Sequence, residues 1–174
     1  MVSYRGGNDD EEKFVPTGPG DPNPAFFGEA GRAANCYAYA VNILRVAAPS
    51  INPGELGPKG TNVAAYANDE NVYKAACEAD GLIYVGRDPS GYLGRTGGYL
   101  VAFFKSNFDM HWRRCDSEGV WSEKLPDKVP YRCESQDQAS VSIKGMPFLA
   151  FYWVQPDVVK LRTKTKKSKG CIIC

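Results

Sequence analysis

Histidine is nearly absent from this chain, and His111 is the only one. A mixed cysteine–histidine metal centre needs several ligands at compact spacing. No second imidazole is present to supply one, and no pair among Cys77, Cys115 and Cys133 lies close enough in sequence. Cys171 and Cys174 make a C-x-x-C without a second pair to complete it. Neither a metal nor any other cofactor is therefore expected. Long apolar runs are missing as well: nothing approaches the ~20 residues of a membrane-spanning helix. The opening MVSYRGGNDDEEK has neither the basic start nor the apolar stretch of an export signal. A cytosolic chain with reduced thiols is the expectation. An excess of one charge is lacking too. Twenty-one basic against 20 acidic residues leave +1, so no protein-wide field draws nucleic acid, and none is expected as a partner. SGYLGRTGG has no lysine followed by Ser or Thr and no strand-to-helix setting, which removes the case for a phosphate loop. There is no internal repeat.

What is present suits one domain. Apolar residues make up 43% of 174 positions, enough to bury a core. Residues 1–30, rich in Gly, Pro, Asn and acid, read as a flexible arm, 31–157 as the folded domain, and 158–174 as a basic tail. Within the domain, Tyr37, Ala40, Val41 and Leu44 recur at helical spacing behind Asn35, a good N-cap, and this helix should end by Pro49. Val72, Ala75, Ala76 and Ala79 suit a second helix closed by Gly81. LIYVG, YLVAFFKS, DMHWRR, GVWSEKL and FLAFYWV read as strands, with CDSEG as a hairpin turn between the third and fourth. Helices followed by a run of strands predict an α+β fold with an antiparallel sheet.

The chemistry centres on Cys36. It directly follows the proposed cap, and the free N–H groups and positive end of a helix favour the nucleophilic thiolate. His111 alternates along its strand with Met110 and Trp112, so it should face away from both. Glu123, on the next strand of the hairpin, is in reach to accept a hydrogen bond from the imidazole and hold its tautomer. Asp109 and Arg113 share the face of His111 and could pair beside it or position a substrate, while Trp112 and Trp121 should lie on the opposite face as core aromatics. Each residue taken alone has a plainer reading: a small buried thiol, a structural imidazole, an exposed glutamate, a solvated ion pair. The set carries the argument: Cys on a helix, His on a strand, a polar residue on the next strand.

That order resembles the papain-like superfamily in its compact NlpC-type form. The blocks NCYAYAVN, YLVAFF, DMHWRR and GVWSEK also resemble a set of small proteins with N-C-Y-x-Y-A, D-x-H-W-x-R and G-x-W-S-H-K blocks, over roughly Asn35 to Lys124. The resemblance implies a helix carrying the cysteine packed on an antiparallel sheet, with Cys36 as nucleophile and His111 as base. Asn35, Asp109 and Arg113 fall in the matching blocks as site support. The chain departs at Glu123, where the set often has histidine. A carboxylate can still orient an imidazole, and Asp127 remains a rival third member.

The ending KTKKSKGCIIC adds a location. Cys171, two isoleucines and a last residue form the C-a-a-X pattern for prenylation, and Lys164, Lys166, Lys167 and Lys169, with Lys160 and Arg162 upstream, supply an electrostatic second signal. A lipid plus a polybasic patch holds stably where one lipid does not. The expected partners are a membrane surface, a prenyltransferase and a protein or lipid substrate, on the cytoplasmic face of membranes in a eukaryotic cell or host cell. Two functions follow from this reading. One is a membrane-anchored, cysteine-dependent hydrolase or transferase acting on amide or acyl bonds (peptidase, amidase or acyltransferase). The other is a catalytically inactive, lipid-anchored adaptor. A sulfur-to-imidazole distance separates the two: within ~4 Å supports the enzyme, and side chains on opposite faces of the core would sink it.

Overall fold

YLVAFFK and FLAFYWV are apolar at almost every position, a pattern suited to strands covered on both faces. In the computed structural model they form the centre of the fold. The structure describes residues 11–13, 34–45, 51–55, 69–116, 119, 121–128, 130–133, 143, 145–155 and 159. In chain order the elements are β1 (Glu11–Lys13), α1 (Cys36–Ala40), β2 (Ile43–Arg45), α2 (Glu70–Ala79), β3 (Ile83–Gly86), a 3-10 turn (Ser90–Tyr92), β4 (Tyr99–Lys105), β5 (Met110–Cys115), β6 (Trp121–Glu123), β7 (Tyr131–Arg132) and β8 (Phe148–Val154). Six strands make one sheet in the order β3-β8-β4-β5-β6-β7, and every neighbouring pair is antiparallel. The α+β class with an antiparallel sheet is what the pattern predicted.

Alternation along the central strands divides the apolar side chains between two cores. Val101, Phe103, Met110, Trp112, Tyr152 and Val154 face the two helices and pack with Tyr37, Tyr39, Tyr73, Ala76 and Cys77. Phe103 stacks on Trp112 with ring centroids 4.4 Å apart. On the other face Leu100, Ala102, Phe104, Trp121, Phe151 and Trp153 form a second cluster. Trp121 therefore lies on the opposite face from Trp112, whereas the sequence reading had put both on one face. The hairpin register sets it opposite Cys115, on the same side as His111 and Arg113.

Two further expectations change. The first helix stops at Ala40, well short of Leu44, because Asn42 adopts the left-handed conformation (φ 64°) that Asn tolerates better than most residues. Leu44 then belongs to β2, which pairs with β1, so the segment 1–30 contains a short strand. In α2 the packed face is Tyr73, Ala76 and Cys77, and Val72 is exposed. The large ring of Tyr73 takes the core, where it meets Phe103, and turns the apolar stripe by one residue.

Gly98 leads into β4 where β8 runs closest to it. A Cβ at this position would collide with the Val154 carbonyl and lie 2.6 Å from Trp153 Cε2. Gly98→Ala is expected to lower stability by about 1–3 kcal/mol through overpacking. Denaturant unfolding measures this, and an unchanged midpoint would contradict the close approach.

Candidate functional site

Cys36 opens α1, and α1 is tied down along its whole length. Asn35 caps it: Oδ1 accepts the Ala38 N–H at 2.9 Å, and Nδ2 donates to the Ile51 carbonyl at 2.7 Å. With both ends of its amide engaged, Asn35 positions the helix. Tyr37 donates to the buried Asp80 carboxylate at 2.6 Å, which also accepts the Gly54 N–H. The Tyr37 ring rests on Trp112, and the Tyr39 hydroxyl bonds with Ser122 Oγ at 2.6 Å. The helix is thus anchored to α2, to residues 51–55, to β5 and to β6. Only five residues long, it builds little of the dipole assigned to it from the sequence.

The half-buried Cys36 thiol lies 3.9 Å from the Met110 carbonyl oxygen, at the start of β5. The Met110 N–H is taken by Asp109 Oδ1 at 2.8 Å. Strand β6 pairs with β5 only over Arg113–Cys115 and ends at Glu123, level with Arg113. Beside Met110 and His111 the sheet therefore has no β6 partner, and there the Cys36 thiol approaches the strand. Met110 and Trp112 belong to the core under the helices, whereas His111 alternates to the other face. The Cys36 thiol is nonetheless near enough to the His111 ring to raise its proton affinity.

On its far side the ring is held by Glu123, whose Oε2 lies 2.9 Å from His111 Nε2. That leaves Nδ1 as the nitrogen not committed to the carboxylate. Arg113 Nε donates to the same Oε2 at 2.8 Å, and the Tyr131 hydroxyl donates to Oε1. His111, Arg113 and Glu123 are all buried, at 5%, 7% and 6% exposure. Burial opposes a proton on His111, yet the hydrogen bonds and charges of Cys36 and Glu123 outweigh it and raise the imidazole to about 9. Burial would likewise raise Glu123, but donation from His111, Arg113 and Tyr131 holds it at about 2. Burial pushes the Cys77 thiol well up, and those of Cys115 and Cys133 to about 11.

The structure brings together Cys36, His111, Glu123 and Arg113 from the sequence-derived set. Asp127 sits in the exposed turn after β6 with left-handed backbone (φ 55°), and the carboxylate at the imidazole is Glu123. Arg113 pairs with Glu123, while the exposed Asp109 caps Met110 next to it. Tyr131 was missed. Its strand is two residues long, too short for any period, so only its β6 neighbour Glu123 reveals it. Cys171, Lys164, Lys166, Lys167 and Lys169 lie outside the described residues. Among the described residues no group of three or more His, Cys, Asp or Glu could hold a metal ion, and no helix is long and apolar enough to cross a membrane.

No protein-family model, curated protein or solved structure matches this chain.

Proposed function

We propose that this protein is a cysteine-dependent hydrolase or transferase of acyl or amide bonds, with a papain-like arrangement of Cys36, His111 and Glu123. The observation that carries the reading is the His111–Glu123 pair, 2.9 Å apart, next to the start of β5 where the Cys36 thiol lies 3.9 Å from the Met110 carbonyl oxygen. The nucleophilic form of a cysteine is the thiolate, and a protonated imidazole in contact with it favours that form. Cys36 Sγ attacks the carbonyl carbon, the new C–S bond forms, and the carbonyl π pair moves onto oxygen. As that pair returns, the bond to the leaving group breaks and His111 gives the departing atom its proton. Water or an acceptor nucleophile then passes a proton to His111 and attacks the thioester, which releases the thiol. Glu123 stays ionised throughout and fixes the ring so that its free nitrogen faces the sulfur.

A cysteine-directed activity probe tests this without a known substrate. Labelling of the parent and its loss in Cys36→Ala support the reading. Labelling that survives this substitution overturns it and leaves the lipid-anchored adaptor.

The same proposal includes prenylation at Cys171 and a cytoplasmic-face membrane location, supported by the C-a-a-X ending with its basic residues. Each Lys or Arg near an anionic leaflet adds roughly 1 kcal/mol, so lipid and charge act together. In eukaryotic cells Cys171→Ser is expected to release the protein to the soluble fraction. Replacing Lys164, Lys166, Lys167 and Lys169 with Gln should release part of it. Fractionation reads both, and a Cys171→Ser protein that stays fully in the membrane pellet would exclude a prenyl anchor.

A further inference from the structure

A buried carboxylate next to an imidazole has an alternative to the ion pair: it can take the proton, leaving two neutral groups in a site poor in water. The surroundings of Glu123 work against that outcome. In the register of the sheet Arg113 stands directly across from Glu123 on one side and Tyr131 directly across on the other. The three side chains form one row over β5, β6 and β7. Arg113 Nε reaches Oε2, the oxygen that His111 Nε2 also approaches, and the Tyr131 hydroxyl takes Oε1. The Arg113 guanidinium lies 5.1 Å from the Phe104 ring centroid on β4, which fixes it from below.

We propose that Arg113 and Tyr131 are positioning residues that clamp Glu123 as a fixed anion, so that the proton used in the reaction stays on His111. The inference rests on the thiol-enzyme reading and deepens it. The titratable and charged groups facing the pair are His111 and Arg113 from β5, Tyr131 from β7 with Cys133 just after it, and Cys36 from α1. Of these, only Arg113 carries a charge that does not change with pH. A cation paired to the carboxylate on the same oxygen as the imidazole makes the anion the favoured form. Tyr131 adds a donor without a competing charge. Its own hydroxyl is pushed up by burial and by the hydrogen bond to Glu123, so it remains a donor at any working pH.

The single histidine makes the test direct, because one set of ring signals reports the site by NMR. In the parent the His111 ring should show an inflection near 9 and none in the ordinary carboxylate range. Arg113→Met and Tyr131→Phe should each add a second inflection, as Glu123 begins to protonate about one pH unit or more higher than in the parent. The double variant should bring it close to about pH 4, and Arg113→Lys, which keeps the charge without the planar fork, should fall between Arg113→Met and the parent. Tyr131 is 39% exposed, so Tyr131→Phe keeps the fold even if Arg113→Met does not. A role in folding alone would lower the melting temperature without moving the inflection, and parent-like titration in Tyr131→Phe and in folded Arg113→Met overturns the clamp. No substrate enters the measurement. A shifted inflection with no labelling of Cys36 would therefore overturn the enzyme reading and leave the clamp standing.

Discussion

Turnover by His111→Ala is expected to fall by about 10²- to 10⁴-fold, the range that a positioned general base contributes. On the proposed mechanism the variant removes the group that takes and returns the proton, and with it the imidazole whose proton affinity Cys36 raises. Alkylation with a small thiol reagent separates these effects. In the parent Cys36 should react well ahead of Cys77, Cys115 and Cys133, whose thiols burial pushes up and keeps protonated near neutral pH. In His111→Ala that lead should shrink. The pH profile of acyl transfer carries its own sign. The imidazole is held protonated up to about 9, so rates should fall on the alkaline side as pH passes that value. Equal alkylation of all four cysteines, or turnover untouched by His111→Ala, is the result that excludes an activated nucleophile.

The second large effect is on stability. Glu123→Ala removes the carboxylate that the buried Arg113 guanidinium and the His111 ring share, and breaking one side of a buried pair costs about 3–5 kcal/mol. That is a large share of the total stability of a typical domain, about 5–15 kcal/mol. The loss should depend on pH in a defined way. Glu123 is depressed from 4.5 to about 2, so its contribution is fully present above 4.5 and disappears as pH falls through 2. His111 is raised from 6.5 to about 9, so its contribution is fully present below 6.5 and disappears as pH rises through 9. The gap in stability between parent and variant should therefore be widest between 4.5 and 6.5 and narrow on both sides. Urea unfolding of both proteins across this range measures it, and a gap that does not vary with pH would mean that packing, not charge, holds Glu123 in place.

Both cases show which parts of the protein can be read along the chain. Asn35 before a cysteine is a local signal, since a cap and its helix start need only neighbouring residues, and the capped helix is there. The strands in YLVAFFKS, DMHWRR and FLAFYWV follow from apolar and alternating runs of six or seven residues. The length of α1 was not legible, because Tyr37, Ala40, Val41 and Leu44 keep helical spacing beyond the point where Asn42 turns the backbone and Leu44 pairs with β1. The face of Trp121 was missed for a similar reason. Alternation tells which residues of one strand share a face, but only pairing with Cys115 relates that face to β5.

The sequence by itself determined the chemistry available to this protein: one imidazole in the whole chain, a cysteine behind a capping asparagine and a carboxylate one hairpin away. These are properties of residue type and short spacing. Tertiary structure decided how the groups combine. It chose Glu123 over Asp127 for His111, turned Arg113 from Asp109 to Glu123, and brought in Tyr131 from a two-residue strand. It also brought Cys36, 74 residues before Met110, to the Met110 carbonyl at the start of β5, where β6 has already stopped. The physical reason is that a buried polar group takes whichever partner the strand register sets opposite it, and register is fixed by packing among segments far apart in the chain.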